Sequence, residues 1–170
     1  MKVTQKIKFI FLLFLISLNS SCDQVSKNIV RQHIEPNGYI EVIKNKLILT
    51  KVENTGAAYS LGSNLTPFLK ILLLQIFPII ILGVLLRQLF IKTDYSKETN
   101  IGFAFIIGGG IGNLFDRIMY GSVTDFLILD LGIIKTEIFN LADVSIMLGT
   151  ILILFSTLLH HKKSLFKYKK

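Results

Sequence analysis

The sequence predicts an α-helical integral membrane protein with four transmembrane helices and a small β-rich segment outside the membrane. Of its 170 residues, 51% are hydrophobic, and the mean hydropathy is +0.59. Soluble domains seldom contain apolar runs as long as the four in this chain. About twenty helical residues cross the roughly 30 Å hydrocarbon core of a bilayer. We therefore expect one domain over residues 1–170, with spans near residues 7–25, 67–90, 101–119 and 141–159.

The first apolar run resembles a secretory signal, because basic residues surround its start and Cys22 follows it. Three more apolar runs follow, so we interpret it as a retained membrane helix that reaches about Val25. Asp23 and Lys27 lie four residues apart, so they share a helix face and are predicted to pair. Because Cys22 is the only cysteine, an intrachain disulfide and a multi-cysteine metal site are excluded.

The longest polar stretch, residues 28–66, predicts a small sheet followed by a short helix. Residues 36–38 (Pro-Asn-Gly) indicate a turn. Within residues 39–60, the runs Y-I-E-V-I and L-I-L-T-K-V favour a hairpin. Open sheet edges cannot cross a bilayer, so this sheet should lie outside it or against protein. Asn54 or Thr55 is expected to cap a short helix that starts near Gly56.

The later apolar runs contain residues that shape helices. Pro78 is expected to kink the second run, which neighbouring helices can accommodate. Small residues in the third run allow close helix packing: they are Gly102, Gly108, Gly109, Gly110 and Gly112.

The distribution of basic residues predicts the topology. Four spans put both termini on one side, where we count eleven basic residues: Lys2, Lys6, Lys8, Arg87, Lys92, Lys97, Lys162, Lys163, Lys167, Lys169 and Lys170. The longer opposite loops hold six: Lys27, Arg31, Lys44, Lys46, Lys51 and Lys135. The positive-inside rule therefore predicts cytoplasmic termini and an outer β-rich segment. Membrane topology explains the net charge of +8 more simply than nucleic-acid binding does.

Six polar residues lie at or near the ends of the last two spans: Asn113, Asp116, Arg117, Asp125, Asn140 and Asp143. Polar groups beside a bilayer are costly and commonly mark functional sites. Asn113 and Arg117 share a helix face, where Arg117 could pair with an acid or hold a lipid phosphate or carbonyl, while Asn113 offers neutral hydrogen bonds. Asp116 most simply neutralises a nearby cation.

Asp125 and Asp143 each have a plain structural interpretation. Asp143 could cap the fourth helix together with Asn140, since a carboxylate favours a helix N-terminus. Asp125 alone could be a solvated loop acid. Two carboxylates in one poorly solvated pocket would instead titrate as a coupled unit, with one acting as base and the other as acid. Asp130 and Glu137, in the same loop, are predicted to face solvent.

Metal and nucleophilic chemistry receive little support from the residues present. His33, His160 and His161 are placed on opposite sides by the predicted topology, and no zinc-binding helix motif is present. No serine nucleophile motif occurs, and Cys22 has no evident histidine partner. We expect neither a metal nor a cofactor.

Five blocks of sequence, in order, resemble the lipoprotein signal peptidase (signal peptidase II) family. They are D-Q-V-S-K from Asp23, E-N-T-G-A-A-Y-S from Glu53, G-N-L-F-D-R from Gly112, V-T-D-F from Val123 and F-N-L-A-D from Phe139. The resemblance spans about residues 7–160. Departures are mild: Thr124 stands where an aliphatic residue is commoner, and Tyr59 where phenylalanine is commoner.

The resemblance implies an aspartic endopeptidase of the bacterial inner membrane, which cleaves diacylglyceryl-modified prolipoproteins just before the lipidated cysteine. It implies four transmembrane helices with an outer β-cradle and a short periplasmic helix, and an active site near the outer leaflet. Asp125 and Asp143 are the implied catalytic pair. Residues implied to shape the site or contact substrate are Asp23, Lys27, Asn54, Gly56, Asn113, Arg117 and Asn140. We expect a monomer whose partners are these substrates and membrane lipids.

A small transporter or proton relay that uses buried carboxylates is the alternative. Such a protein should place its acids near the bilayer midplane on broken helices. Here the acids fall at helix ends, which favours the peptidase.

Overall fold

The computed structural model describes residues 3–92 and 94–167, with side chains described for residues 5–92 and 94–159. Lys2, Lys169 and Lys170, which the topology count uses, lie outside this part of the chain. The helices are α1 (Val3–His33), α2 (Pro67–Ile91), α3 (Lys97–Tyr120) and α4 (Leu141–Lys167). The strands are β1 (Tyr39–Ile43), β2 (Leu47–Asn54) and β3 (Val123–Leu129). Within the described residues, four helices are long and apolar enough to cross a membrane, which confirms the prediction of four membrane-type helices.

Helix α1 continues well past Val25, where we predicted its membrane span to end. Lys27 and Val30 are buried in this extension, and Ile34 is buried just after it. The helix continues beyond the predicted span because one of its faces, which includes Lys27 and Val30, is buried against the rest of the protein, while residues such as Ile29 on the other face stay exposed. Sequence hydropathy records the end of the lipid-facing surface and not the end of the helix.

Helix α2 is irregular near the predicted kink. A π-helical turn, Leu72–Ile76, immediately precedes the segment Phe77–Ile91, in which Pro78 occupies a first-turn position. Proline has no backbone N–H to donate and crowds the preceding turn, so a wider turn accommodates it. None of the residues in the most apolar stretch of α2 is buried, as expected for a helix that faces lipid.

Helix α3 packs against the other three helices and most extensively against α4. The two backbones touch where Gly102 faces Gly149. A Cβ atom on Gly149 would lie 2.5 Å from Gly102 O, and one on Gly102 would lie 2.7 Å from Gly149 O. On the opposite side, a Cβ atom on Gly108 would lie 2.9 Å from Ile16 O of α1. The close packing expected from the glycines is therefore present.

The strands form an antiparallel sheet in the order β1-β2-β3. The first two strands are the predicted hairpin. We did not predict β3, and we placed Asp125 in a loop, whereas it lies on this strand opposite Val52. Phe126 on the same strand packs against Val30 and Ile34, so the sheet is attached to the end of α1.

The predicted short helix is a single 3-10 turn, Ala58–Ser60, and its N-cap is Ala57 rather than Asn54 or Thr55. Asn54 Oδ1 instead accepts a hydrogen bond from Gly56 N–H at 2.9 Å. This is an Asx turn, in which a side chain replaces a backbone acceptor. The capping prediction was wrong because the Asn54 side chain is already engaged: its Oδ1 accepts from Gly56 N–H, and its Nδ2 donates to Ala57 O and to Asp125 Oδ2.

Gly149→Val should destabilise the α3–α4 contact, because overpacking of this kind typically costs about 1–3 kcal/mol. Thermal unfolding in detergent should show a lower midpoint for this variant than for wild type. Gly83→Val is the matched control, since a Cβ atom at Gly83 meets nothing within 4 Å. Equal midpoints for the two variants would contradict the close packing.

Candidate active site

A cleft of about 370 Å³ opens between the sheet, the end of α3 and the start of α4. Its polar lining contains six of the predicted site residues: Asn54, Asn113, Arg117, Asp125, Asn140 and Asp143. Apolar side chains line the rest, among them Val123, Phe139, Ile146 and Met147. The predicted residues are separated along the chain, yet the fold brings these six to one cavity.

Asp125 is held by two asparagines. Its Oδ1 accepts a hydrogen bond from Asn140 Nδ2 at 2.6 Å, and its Oδ2 accepts one from Asn54 Nδ2 at 3.1 Å. The residue is 6% exposed. Burial raises the pKa of Asp125 from its ordinary value to about 6. The two hydrogen bonds oppose that rise, whereas the nearby charge of Asp143 adds to it.

Asp143 belongs to a reciprocal cap at the start of α4. Its Oδ2 accepts from Asn140 N–H at 3.2 Å, and Asn140 Oδ1 accepts from Asp143 N–H at 3.0 Å. Asn113 Nδ2 donates to the other carboxylate oxygen at 2.9 Å. The predicted cap is confirmed, and it fixes the carboxylate in place at the edge of the cleft. Capping and catalysis are therefore compatible.

Asn140 joins the two carboxylates. It is fully buried, its side-chain amide donates to Asp125, and its backbone amide donates to Asp143. One residue thus fixes both acids relative to each other. The two carboxylates also interact electrostatically.

Lys27 lies behind the cleft and is fully buried. Its Nζ is 2.7 Å from Asp23 Oδ2 and 3.2 Å from Asp116 Oδ2, and it donates to Asn113 Oδ1 at 2.9 Å. The predicted pairing with Asp23 is confirmed, as is the role of Asp116 as a partner for a cation. Since Lys27 occupies the oxygen of the Asn113 amide, the nitrogen of that amide points to Asp143.

Asp23 also connects two helices. Its Oδ1 accepts from Ala142 N–H at 2.9 Å, at the first turn of α4. The cost of burying this carboxylate is offset by the ammonium of Lys27 on one oxygen and the helix N-terminus on the other. Asp23 therefore supports the turn that carries Asp143 without lining the cleft.

Sequence analysis missed a second set of supporting residues. Arg31 Nη2 is 2.8 Å from Asp116 Oδ1, and Arg31 Nε donates to Thr124 Oγ1 at 2.8 Å. Thr124 Oγ1 donates in turn to Glu53 Oε1 at 2.8 Å. The spacing of Asp23, Lys27 and Arg31 at successive four-residue intervals was a signal for Arg31. No comparable signal existed for Glu53, because its partners come from distant parts of the chain.

Arg117 and Gly56 meet at one wall of the cleft. Arg117 Nη2 donates to Gly56 O at 3.1 Å, which is the carbonyl contact that we considered possible. Arg117 Nε is buried and has no hydrogen-bond partner within the described residues. A Cβ atom on Gly56 would lie 2.6 Å from backbone atoms of Ser60 and Leu61, so this turn requires glycine.

The other acids lie outside this arrangement. Asp130 Oδ1 accepts from Gly132 N–H at 2.9 Å in its own turn, and Glu137 is exposed at the rim of the cleft. Among the residues that the structure describes, no group of three or more His, Cys, Asp or Glu side chains could hold a metal ion.

Paired carboxylates can carry out hydrolysis by general acid–base catalysis. Their position at the end of a bundle of membrane-type helices defines the class of protein as a membrane hydrolase that uses carboxylates. The sequence model of the family described as Signal peptidase (SPase) II matches residues 14–159. The chain therefore belongs to the signal peptidase II family, a family of aspartic peptidases that act on prolipoproteins in bacterial membranes.

Two solved structures of bacterial membrane enzymes, both determined by the in meso method, are similar to this chain. The first, at 2.3 Å resolution, is 29% identical and has a TM-score of 0.78, with 87% of each chain covered. The second, at 1.9 Å resolution, is 28% identical and has a TM-score of 0.76, with 87% of this chain and 92% of that chain covered. The family and these structures support the peptidase prediction and the predicted fold rather than the transporter.

Asn54→Leu should raise the pKa of Asp125 above its value of about 6. The substitution removes a hydrogen bond that stabilises the ionised carboxylate, and it places an apolar side chain of similar size beside Asp125. The carboxyl stretch of Asp125 can be followed against pH by infrared difference spectroscopy, with Asp125→Asn used to assign the band.

Asn64→Leu, in the exposed loop before α2, is the control, and it should leave the pH midpoint of the Asp125 carboxyl band unchanged. A midpoint in Asn54→Leu that equals or falls below the wild-type value would show that the Asn54 contact does not stabilise the carboxylate.

Proposed function

We propose that Asp125 and Asp143 are the catalytic pair, and that they hydrolyse the peptide bond before the lipidated cysteine of diacylglyceryl-modified prolipoproteins. The observation that carries this proposal is the bridging of both carboxylates by Asn140. The family is one of aspartic peptidases, which need two acids in one site. Of the acids that line the cleft, these two alone are fixed by asparagine side chains in the described residues.

The environments of the two acids support different roles. Asp125 is buried and has a raised pKa, so it holds the shared proton more readily and donates it to the scissile carbonyl oxygen. Asp143 accepts hydrogen bonds from Asn113 and from the N-terminus of α4, which hold its carboxylate at the edge of the cleft, where it acts as the general base. It takes a proton from water, whose oxygen attacks the carbonyl carbon. In the collapse of the tetrahedral intermediate the C–N bond breaks, Asp143 gives the proton it took from water to the leaving amine nitrogen, and Asp125 takes back a proton from a hydroxyl of the intermediate as the carbonyl re-forms.

The remaining site residues position the substrate and the acids. Arg117 lines the cleft, its buried Nε has no hydrogen-bond partner among the described residues, and this donor fits a backbone carbonyl of the bound peptide. Gly56 fixes the turn that Arg117 contacts. Asn54, Asn113 and Asn140 orient the carboxylates, whereas Asp23 and Lys27 act from behind the cleft.

We infer that the chain is one domain of the inner membrane, with both termini in the cytoplasm and the site near the outer leaflet. Charge asymmetry supports this orientation. The sheet, the end of α3 and the start of α4 all lie at one end of the bundle, where a lipid-anchored peptide has access. That the enzyme is a monomer among membrane lipids stays a prediction from the sequence.

Asp125→Asn and Asp143→Asn should each abolish processing, because loss of general acid–base catalysis removes about 10²–10⁴-fold in rate. Purified variants in proteoliposomes would receive a diacylglyceryl-modified proprotein, with EDTA present so that no metal contributes. The shorter product is resolved on a gel.

Asp130→Asn is the matched control, since it makes the same change at an acid outside the pair. It should process substrate at the wild-type rate. Normal processing by either Asp125→Asn or Asp143→Asn would rule out the proposed pair.

A further inference from the structure

A second groove lies between the N-terminal parts of α1 and α3. Its volume is about 590 Å³, and its lining includes Lys8 and Phe11 of α1, Tyr95, and Lys97, Asn100 and Ile101 of α3. Asn113 lies thirteen positions after Asn100 on α3, which corresponds to about 20 Å along a helix at 1.5 Å per residue. The N-terminal groove is therefore at the opposite end of the bundle from the carboxylates.

Asn100 presents a buried acceptor that lacks a donor. Its side chain is 4% exposed. Its Nδ2 donates to Tyr95 O at 2.9 Å and to Ser96 O at 2.7 Å, so both amide hydrogens are used. Because both partners are carbonyl oxygens, the orientation of the amide is fixed. Its Oδ1 has no hydrogen-bond partner within the described part of the chain. A buried acceptor of this kind is costly unless a ligand or water brings a donor.

The groove is also cationic. Lys8 and Lys97 line it, and Lys92 Nζ lies 5.5 Å from the ring centroid of Tyr95. The ring of Tyr95 rests edge-on against Phe103, at a centroid distance of 5.3 Å, and this contact fixes one wall. The N-terminus of α3 adds a partial positive charge near Lys97, which Glu98 in the same turn partly offsets, so the two lysines that line the groove carry its positive charge. A ligand for this groove therefore carries a negative charge together with a hydrogen-bond donor.

The remaining lining is apolar and continues along the membrane-facing surface of α1. Ile7 and Phe11 are 61% and 51% exposed, although they belong to a helix that is long and apolar enough to cross a membrane. Leu12 and Ile101 line the same groove. A charged end beside an apolar floor matches a phospholipid, with its headgroup among the lysines and an acyl chain along Phe11.

We propose that the N-terminal groove binds phosphatidylglycerol. The phosphate lies between Lys8 and Lys97, and a glycerol hydroxyl donates to Asn100 Oδ1. Phosphatidylethanolamine also carries donors, but its ammonium would add a cation beside the lysines, and the lipid has no net charge. Phosphatidylglycerol supplies both the charge and the donor, and it contacts α1 and α3 at once.

Native mass spectrometry of the full chain released from detergent tests the headgroup. The protein is offered phosphatidylglycerol, phosphatidylethanolamine and phosphatidylmethanol with identical acyl chains. Phosphatidylmethanol carries the same charge without a hydroxyl. About threefold to tenfold more phosphatidylglycerol than phosphatidylmethanol should remain bound, which is the contribution of one hydrogen bond. Equal retention of these two lipids, or preferred retention of phosphatidylethanolamine, would overturn the proposal.

Variants locate the site. The double substitution Lys8→Gln with Lys97→Gln should reduce bound phosphatidylglycerol several-fold. The control, Lys44→Gln with Lys46→Gln, removes the same charge from the exposed β1–β2 turn and should bind as wild type. Asn100→Ala should retain binding of both anionic lipids but lose the preference between them. The assigned groove would be refuted if both double lysine variants lost the same amount of bound phosphatidylglycerol. It would also be refuted if Asn100→Ala still preferred phosphatidylglycerol over phosphatidylmethanol as wild type does.

Discussion

The rest of the site depends on the interactions of the Lys27 ammonium group, which is buried between α1 and α3. It lies within hydrogen-bonding distance of Asp23 and Asn113 and 3.2 Å from Asp116. An unpaired buried charge costs several kcal/mol, so the ammonium is stable only where both acids surround it. This requirement fixes how α1 docks on α3. It also explains why α1 remains helical beyond its lipid-facing surface.

The position of the two catalytic candidates follows from that centre through short contacts. Lys27 orients the Asn113 amide, which donates to Asp143, and Asp23 accepts from the first turn of the helix that carries Asp143. Asn140 then fixes the position of Asp125 relative to Asp143, because its backbone amide donates to Asp143 and its side-chain amide donates to Asp125. The acids are thus held by amides and not by cations in direct contact. This leaves Asp125 free to keep a raised pKa, which a paired cation would lower.

Local pattern predicted the helices and the β1–β2 hairpin, because apolar runs and β-rich runs are visible along the chain. It could not predict β3, since that strand pairs with β2, and the contact between Asn54 and Asp125 joins residues 71 positions apart. The same limit applies to Glu53, whose partners Ser122 and Thr124 come from a distant part of the chain. The six residues of the cleft were identified from motifs together with the family resemblance. The hydrogen bonds among these residues could be identified only from the folded structure, because they join residues from different elements.

If Asp125 and Asp143 act as one catalytic unit, their contributions to rate are not independent. The most direct measurement is kcat on a diacylglyceryl-modified peptide for Asp125→Asn, Asp143→Asn and the double variant, under identical detergent conditions. We predict that all three fall to the same residual rate, because removal of either acid already disables the pair. A double variant whose loss equals the product of the two single losses would contradict a shared catalytic unit.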